Sequence, residues 1–432
     1  MNGSSQAWDL LLAAFAPAFT HPSFALLCDL ACAWVLCPGR RTVTRLVWTM
    51  DPARRRCHDA YHRFLRAGAW RMAALWERLV GLLVHRLSPQ GVLRVDLDDT
   101  LFHTAGRKIE GAGVFRDAVR SSGRAVVYAL GLNLVVLTLR IRPPWGGEPL
   151  GLPINVRRSR KGGPSHLDLG EAMLREIAGW LPSRTFTLGC DGAYASLAGR
   201  SLPRTHVTSR IRRDAALYDL PPPRRQGQRG RPRKKKGKRL PSPEQMARQS
   251  RTGWVRAAVE ERGKVVERLL LSRPVLWYAV CPDRRVLLVI VRDPTGKQHD
   301  DCFFTTDIEA SAAAVVEHYA GRWSIEDTFR SVKQSLGGED PQTWKGQGPE
   351  RAAALSLWLY SAVWCWYITT HSTKITWPAL PWYTTKRTPS FADALATLRR
   401  ALWSRRIFSS CARNPLPRKM ASVLLDVLAH AA

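Results

Sequence analysis

At 432 residues, 45% of them hydrophobic, the chain is long enough for about two to four units with a sizeable core, which excludes a disordered protein. Its 66 Lys and Arg outnumber 35 Asp and Glu, a formal net charge of +31 that repels itself unless a polyanion neutralises it. Arginine-rich coding is the other source of such a charge, and composition alone leaves both open. Nine scattered cysteines, an odd number, exclude a complete disulfide framework and fit reduced thiols.

The opening residues, MNGSSQAWDLLLAAFAPAF, set no basic leader before their apolar run, which speaks against a secretory signal. Residues 1–88 read as helical, with apolar positions at helical spacing through FALLCDLACAWVL and RFLRAGAWRMAALWERLVGLLVHRL. Cys28, Cys32 and Cys37, with Cys57 and His58 beyond, lack the paired spacing of a zinc site and read as core cysteines. The character changes at Ser88-Pro89. GVLRVDLDDT predicts a buried strand ending in acids, and RAVVYALGLNLVVLTLRI and GLPINVRRSR predict further β structure. Leu167 to Trp180 has helical spacing, and TFTLGC predicts a short strand running into Asp191-Gly192. This succession describes a mixed α/β core.

Between Leu220 and Pro243 stand ten Lys or Arg and no acid, among many Pro and Gly. Such a tract buries no core and reads as a flexible loop or arm, either a solvated charge run or a set of phosphate contacts that includes Arg233, Lys234, Lys235 and Lys236. Strand patterns resume in VVERLLLSR, VLWYAVC and RRVLLVIVR, and DDCFFTTD closes the β-rich section. From Ala310 a single helix is expected through AAAVVEHYAGRWSIEDTFRSVKQSL. Residues 352–370 carry no charge and are long enough to span a bilayer, yet their Ser, Thr and Tyr favour a helix packed on both sides within a core. A Trp- and Arg-containing tail follows.

The acids carry the chemistry. Asp96, Asp98 and Asp99 interrupt an apolar strand where further apolar residues are due, Asp191 terminates another strand, and Glu326 sits on an apolar-faced helix. Acids at strand ends of an α/β sheet converge on one edge, where a helix can add a third carboxylate, and such oxygen donors suit hard divalent cations. A strand-end Asp can equally form a turn or cap a helix. Around Glu326 the spacing is Y-x2-R-x3-E-x6-K, formed by Tyr319, Arg322, Glu326 and Lys333. On one helix, Arg322 and Glu326 share a face one turn apart, with Tyr319 a turn earlier and Lys333 about two turns later. That set can hold a scissile phosphate and its flanking backbone, although an ordinary Arg322–Glu326 pair on an exposed helix would need no metal.

This spacing, with LDDTLFHTAGRK and LGCDGAYAS upstream, resembles the DDE transposases of bacterial insertion sequences, and within them the cut-and-paste group that carries the same signature. The resemblance spans roughly residues 90–370. It implies an α/β, ribonuclease H-like catalytic core interrupted by a β-rich insertion, with a helical N-terminal region. The expected boundaries are 1–88 for that helical region, with a role at DNA ends by analogy only, and 89–213 for the first part of the core. The basic loop and β-rich insertion occupy 214–306, the second part of the core with the Glu helix 307–372, and the tail 373–432.

By motif, Asp98, Asp191 and Glu326 become the catalytic, metal-binding acids, with Asp96 the alternative to Asp98 because both lie on one side of the strand. Tyr319, Arg322 and Lys333 become contacts to the transposon end. Some relatives stack a flipped base on an insertion tryptophan, for which Trp254 and Trp277 are the candidates. The resemblance further implies two divalent cations, Mg²⁺ with Mn²⁺ able to substitute, and double-stranded DNA as element end and target. A homodimer in a synaptic complex and a cytoplasmic, nucleoid-associated, non-membrane location complete the expectation. The alternatives are another ribonuclease H-like DNA endonuclease that does not join strands, and a DNA-binding relative without activity.

Overall fold

The computed structural model describes residues 3–51, 53, 56–220, 236–371, 384–410 and 417–431. Five helices come first: α1 (Gly3–Ala13), α2 (His21–Leu36), α3 (Val43–Met50), α4 (His58–Ala67) and α5 (Met72–Leu87). The second long apolar run of the sequence is thus two helices, and Gly68 marks the break. A side chain there would sit 2.6 Å from the Phe64 carbonyl and 2.8 Å from the Trp70 ring. The glycine lets the Trp70 indole fold back and donate to that carbonyl at 2.9 Å. Leu75, Leu79 and Leu83 of α5, one turn apart, are wholly buried. Cys32 and Cys37 are buried, and burial pushes the Cys32 thiol up to about 11, as befits core thiols, whereas Cys28 is half-buried and Cys57 is exposed and no core residue.

The middle of the chain builds one mixed sheet. In chain order its elements are β1 (Leu93–His103), β2 (Gly113–Arg116), β3 (Tyr128–Ile141), β4 (Leu150–Arg158), α6 (His166–Trp180), β5 (Phe186–Cys190) and β6 (Thr205–Arg210). Then come α7 (Pro243–Gln249), β7 (Val255–Glu261), β8 (Lys264–Val275), β9 (Val286–Arg292) and β10 (Asp301–Thr305). The spatial order is β2-β3-β1-β5-β6-β10-β9-β8-β7, with β4 also paired to β3. β4, β3 and β1 are antiparallel, and β1, β5 and β6 are parallel. Three antiparallel strands followed by two parallel ones, with α6 crossing from β4 to β5, make a ribonuclease H-like core. The β-rich insertion continues that sheet, because β10 pairs antiparallel with β6.

Three strands were not evident from sequence: β2, β6 and β7. β6 reads THVTSR, too polar for an interior strand by pattern, yet Thr208 and Ser209 are buried. Their hydroxyls are satisfied locally, Thr208 by Thr305 at 3.1 Å and Ser209 by the Asp191 carbonyl at 2.8 Å, so burial costs little. Conversely, the strand expected in VLWYAVC ends at Val275, and the following residues turn, with Val280 and Cys281 N–H groups both reaching the Trp277 carbonyl.

The expected single helix after Ala310 is two helices, α8 (Ala312–Gly321) and α9 (Ser324–Gln334). Between them Arg322, Ile325 and Glu326 N–H groups bond three residues back, to Tyr319, Arg322 and Trp323, a tightened turn that re-aims the axis. α10 (Gly348–His371) is long and apolar enough to cross a membrane, but 94% of its apolar window is buried inside the protein. It is a core helix wrapped by α1, α4, α5 and β4. The tail holds α11 (Phe391–Ser410) and α12 (Arg418–His430), and α11 packs on α1 and α2. Both chain ends are therefore tied around α10. Trp358 of α10 is 1% exposed and meets Phe15 edge-on at 5.0 Å. Trp358→Ala should lower unfolding stability by about 3–5 kcal/mol, measured by denaturant titration.

Candidate active site

Asp96 and Asp98 both face α8, as two residues apart on a strand must. Their roles separate there. Asp96 is fully buried and forms a two-pronged ion pair with Arg140 of β3, whose Nε lies 2.9 Å from Oδ2. The same guanidinium donates to the His318 carbonyl of α8 at 2.7 Å. Two glycines make room for it. A side chain at Gly189 would collide with the Asp96 carboxylate, and one at Gly321 would lie 2.6 Å from Arg140 Nη1. Asp96 is thus engaged in fastening α8 to the sheet, while Asp98, one pleat further along, faces Arg322.

β1 does not end at its acids. It continues to His103 against β3, whereas its other neighbour, β5, stops opposite Leu97 at Cys190. Asp98 therefore emerges where the parallel ladder runs out, and Asp191 emerges from the next strand at the same level. Asp191 caps the 3-10 turn Gly192–Gly199, its Oδ1 accepting from Ala193 N at 2.8 Å. Glu326 joins them through Arg322, which donates to Asp98 Oδ2 at 2.7 Å and to Glu326 Oε1 at 3.0 Å. The Arg322–Glu326 pair, which on an exposed helix would have been an ordinary surface contact, is part of a mostly buried bridge to the strand.

The Asp98 carboxyl is pushed up to about 7, first by burial and then by the neighbouring Asp191 and Asp99 charges, against the pull of Arg322. The Arg322 guanidinium is held above its ordinary value by Asp98, Tyr319 and Glu326, in spite of its burial. Among the described residues no three His, Cys, Asp or Glu side chains form a ready-made metal cage, since Arg322 stands between two of the acids. The donor set nonetheless suits a hard divalent cation: carboxylates from two adjacent strands and a helix, with more negative charge than Arg322 alone relieves.

Tyr319, at the end of α8, stacks tilted on Phe303 at 4.4 Å and lies under the Arg210 and Arg322 guanidiniums at 5.6 and 5.5 Å. A groove of about 540 Å³ opens beside it, of mixed charge, lined by Arg210, Arg262, Lys264 and Arg268 and by Glu148, Glu261, Asp293 and Asp301. Lys333 donates to the Leu101 carbonyl of β1 at 2.7 Å and lies 3.9 Å from Glu339, and burial lowers its pKa. Lys236 is held over the Tyr218 and Tyr278 rings at 4.5 and 5.2 Å, on the insertion. Arg233, Lys234 and Lys235 lie outside the described residues. Of the two tryptophans singled out from sequence, Trp277 is buried edge-on to Phe304, and Trp254 is covered by the Arg292 guanidinium at 4.2 Å.

Two sets of contacts had no signal in the sequence, although Asp99 itself stands among the acids that interrupt the strand. Asp99, on the opposite face of β1, accepts from the Tyr194 hydroxyl at 3.1 Å and lies 3.6 Å from His166, which braces β1, the turn after Asp191 and α6 together. Trp323, 36% exposed between Arg322 and Glu326, carries the Arg262 guanidinium at 4.0 Å. Arg262 (φ 50) and Gly263 (φ 71) form the left-handed turn of the β7–β8 hairpin, so the insertion reaches back to the acid-bearing helix.

Residues 14–265 match the family described as DDE superfamily endonuclease, more than half of the chain. The match includes Asp98 and Asp191 and ends before Glu326, which is linked to Asp98 through Arg322. No curated protein matches the chain. Without divalent metal, the raised Asp98 pKa means that the fold keeps a proton that the unfolded chain, near 3.8, gives up. Stability should therefore fall as pH rises from about 4 to about 7, and Asp98→Asn should flatten that fall in denaturant titrations across the range.

Proposed function

We propose that this chain, which belongs to the DDE superfamily endonucleases, is a transposase that cleaves DNA at the ends of an insertion sequence and joins the freed strands to a target. The observation that carries this reading is the Arg322 bridge. It draws Asp98 of β1 and Glu326 of α9 to one place, beside Asp191, and does so with the arginine of the Tyr319–Arg322–Glu326–Lys333 signature. A generic nuclease has no need to keep that spacing.

Asp98, Asp191 and Glu326 are the groups that would hold two Mg²⁺, with Mn²⁺ able to replace it. When bound, such ions activate a water or a 3′-hydroxyl and stabilise the leaving oxygen of an in-line displacement at phosphorus. The protein's own part is to place the phosphate. Arg322 neutralises two of the acids while no other cation does, and once they are otherwise neutralised its fork is released for a phosphate oxygen. Tyr319 stands next to it, under its guanidinium, to donate to the same backbone. Lys333 holds the neighbouring stretch of backbone near Leu101. Two ends must be held at once, so the working form is a homodimer on DNA in the cytoplasm.

The test is to incubate the protein with DNA carrying the ends of its own coding element and Mg²⁺ or Mn²⁺, then look for nicking and joining. Glu326→Ala should cost at least about three orders of magnitude in both while DNA binding persists. Nicking that survives this substitution removes Glu326 from the site, and nicking without joining leaves a plain endonuclease. The tract 224–239 supplies sequence-independent phosphate contacts in this reading. Its deletion should flatten the salt dependence of DNA binding, and an unchanged slope makes it a bystander.

A further inference from the structure

Beyond Asp98, β1 runs on to His103, leaves the sheet, and returns as β3 after the short strand β2. β2 pairs with the start of β3, from Gly113 opposite Gly131 to Arg116 opposite Tyr128, so the excursion is a two-stranded ribbon with a closed tip. The tip is ordered by its own hydrogen bonds. Asp117 Oδ1 accepts from Val119 and Arg120 N–H groups at 3.1 Å each, and Ser122 N–H reaches the Ala125 carbonyl at 2.9 Å. Asp117 is 2% exposed, and its other oxygen is 2.8 Å from Nε2 of His103, whose Nδ1 is 3.0 Å from Glu339. The ribbon is therefore braced against the strand that carries Asp98.

What it shows to solvent is unusual for a protein surface. Val119 at the tip is 88% exposed, and Val114, Val126 and Tyr128 are at least half exposed. Single exposed apolar residues mean little, but four on one short ribbon call for a partner. Around them Arg107, Lys108, Arg116, Arg120 and Arg124 are all exposed. The two acids of the segment are engaged: Asp117 as above and also by Arg120 at 3.5 Å, and Glu110 by Gly346 N–H at 2.7 Å. A second copy presenting the same ribbon would bring like charges together. A polyanion with an apolar recess does not, and the major groove of duplex DNA admits a two-stranded ribbon, offering phosphates on both walls and thymine methyls on its floor.

We propose that the β2–β3 ribbon is a DNA-gripping finger that enters a groove of the duplex beside the scissile phosphate, with Val119 leading and Arg116, Arg120 and Arg124 on the flanking phosphates. The proposal rests on DNA as the substrate and adds a contact that neither the acids nor their signature helix supplies. Being built on β1, the finger fixes the duplex relative to Asp98.

The test is binding of a short fluorescent duplex by the full chain over a series of salt concentrations, with thermal melting to check the fold. Replacing the three arginines together by glutamine should reduce the slope of log affinity against log salt by about 3, near 0.9 for each lost phosphate contact. Val119→Glu, at a site open enough to leave melting unchanged, should weaken binding about tenfold by setting a carboxylate against phosphates. A triple variant with the unaltered protein's slope overturns the proposal, as does a Val119→Glu protein that changes its oligomeric state but not its DNA affinity. An unaltered protein that binds no duplex would take the DNA reading down as well. Steep salt dependence that ignores the finger would remove the finger alone.

Discussion

Asp96 and Arg140 form an ion pair almost sealed from water, with side chains 0% and 4% exposed. Two charges so placed are costly to desolvate, and they persist because each is fully used: the carboxylate by both guanidinium prongs, the guanidinium also by the His318 carbonyl. Breaking such a pair from one side leaves a buried charge with no counterpart. Its consequence is geometric. It locks β1, β3 and the last turn of α8 to one another, and the two glycines beside it, Gly189 and Gly321, allow no slack. Tyr319 lies in that turn and Arg322 directly follows it, so the reach of Arg322 toward Asp98 depends on a buried acid that Arg140 neutralises.

Arg322 is the second constraint. Its fork joins Asp98 and Glu326 and offsets the charge that Asp191 and Asp99 add around Asp98. The tightened turn between α8 and α9 keeps it aimed inward. α9 is itself fixed at its middle and near its C-terminus, by the Thr328 hydroxyl on the Gly151 carbonyl of β4 and by Lys333 on the Leu101 carbonyl of β1. The acids are therefore carried by rigid elements, with a cationic group between Asp98 and Glu326.

The helical shell serves the same end less directly. α10, buried along its length, is the post against which α1, α4 and α5 pack on one side and β4 on the other, while α11 returns the tail to α1 and α2. The insertion is equally integrated. β10 extends the core sheet from β6, and the tip of the β7–β8 hairpin lays Arg262 on Trp323, so a movement of the insertion is felt beside Glu326.

Much of this was legible in the sequence because it depends on local periodicity and on spacing. The strand ending LGC before Asp191, the helix from Leu167 and the apolar run of α10 are repetitive patterns, and the Tyr-Arg-Glu-Lys spacing identified Arg322 and Glu326 as partners one turn apart. β6 was missed because its buried residues are polar and satisfied by groups distant in sequence, and the break at Trp323 because the run looks helical on both sides. The choice between Asp96 and Asp98 shows the limit most clearly. The two share a face, a residue type and an apolar strand, and nothing local separates them. Only the tertiary structure does, by giving Asp96 a buried arginine from β3 and by ending β5 at Cys190, so that Asp98 is the one left facing Asp191 and Arg322. The sequence determined which residue types could do the chemistry and at what spacing. Which of them meet was decided by long-range pairing, because a charge takes its role from its neighbours in space.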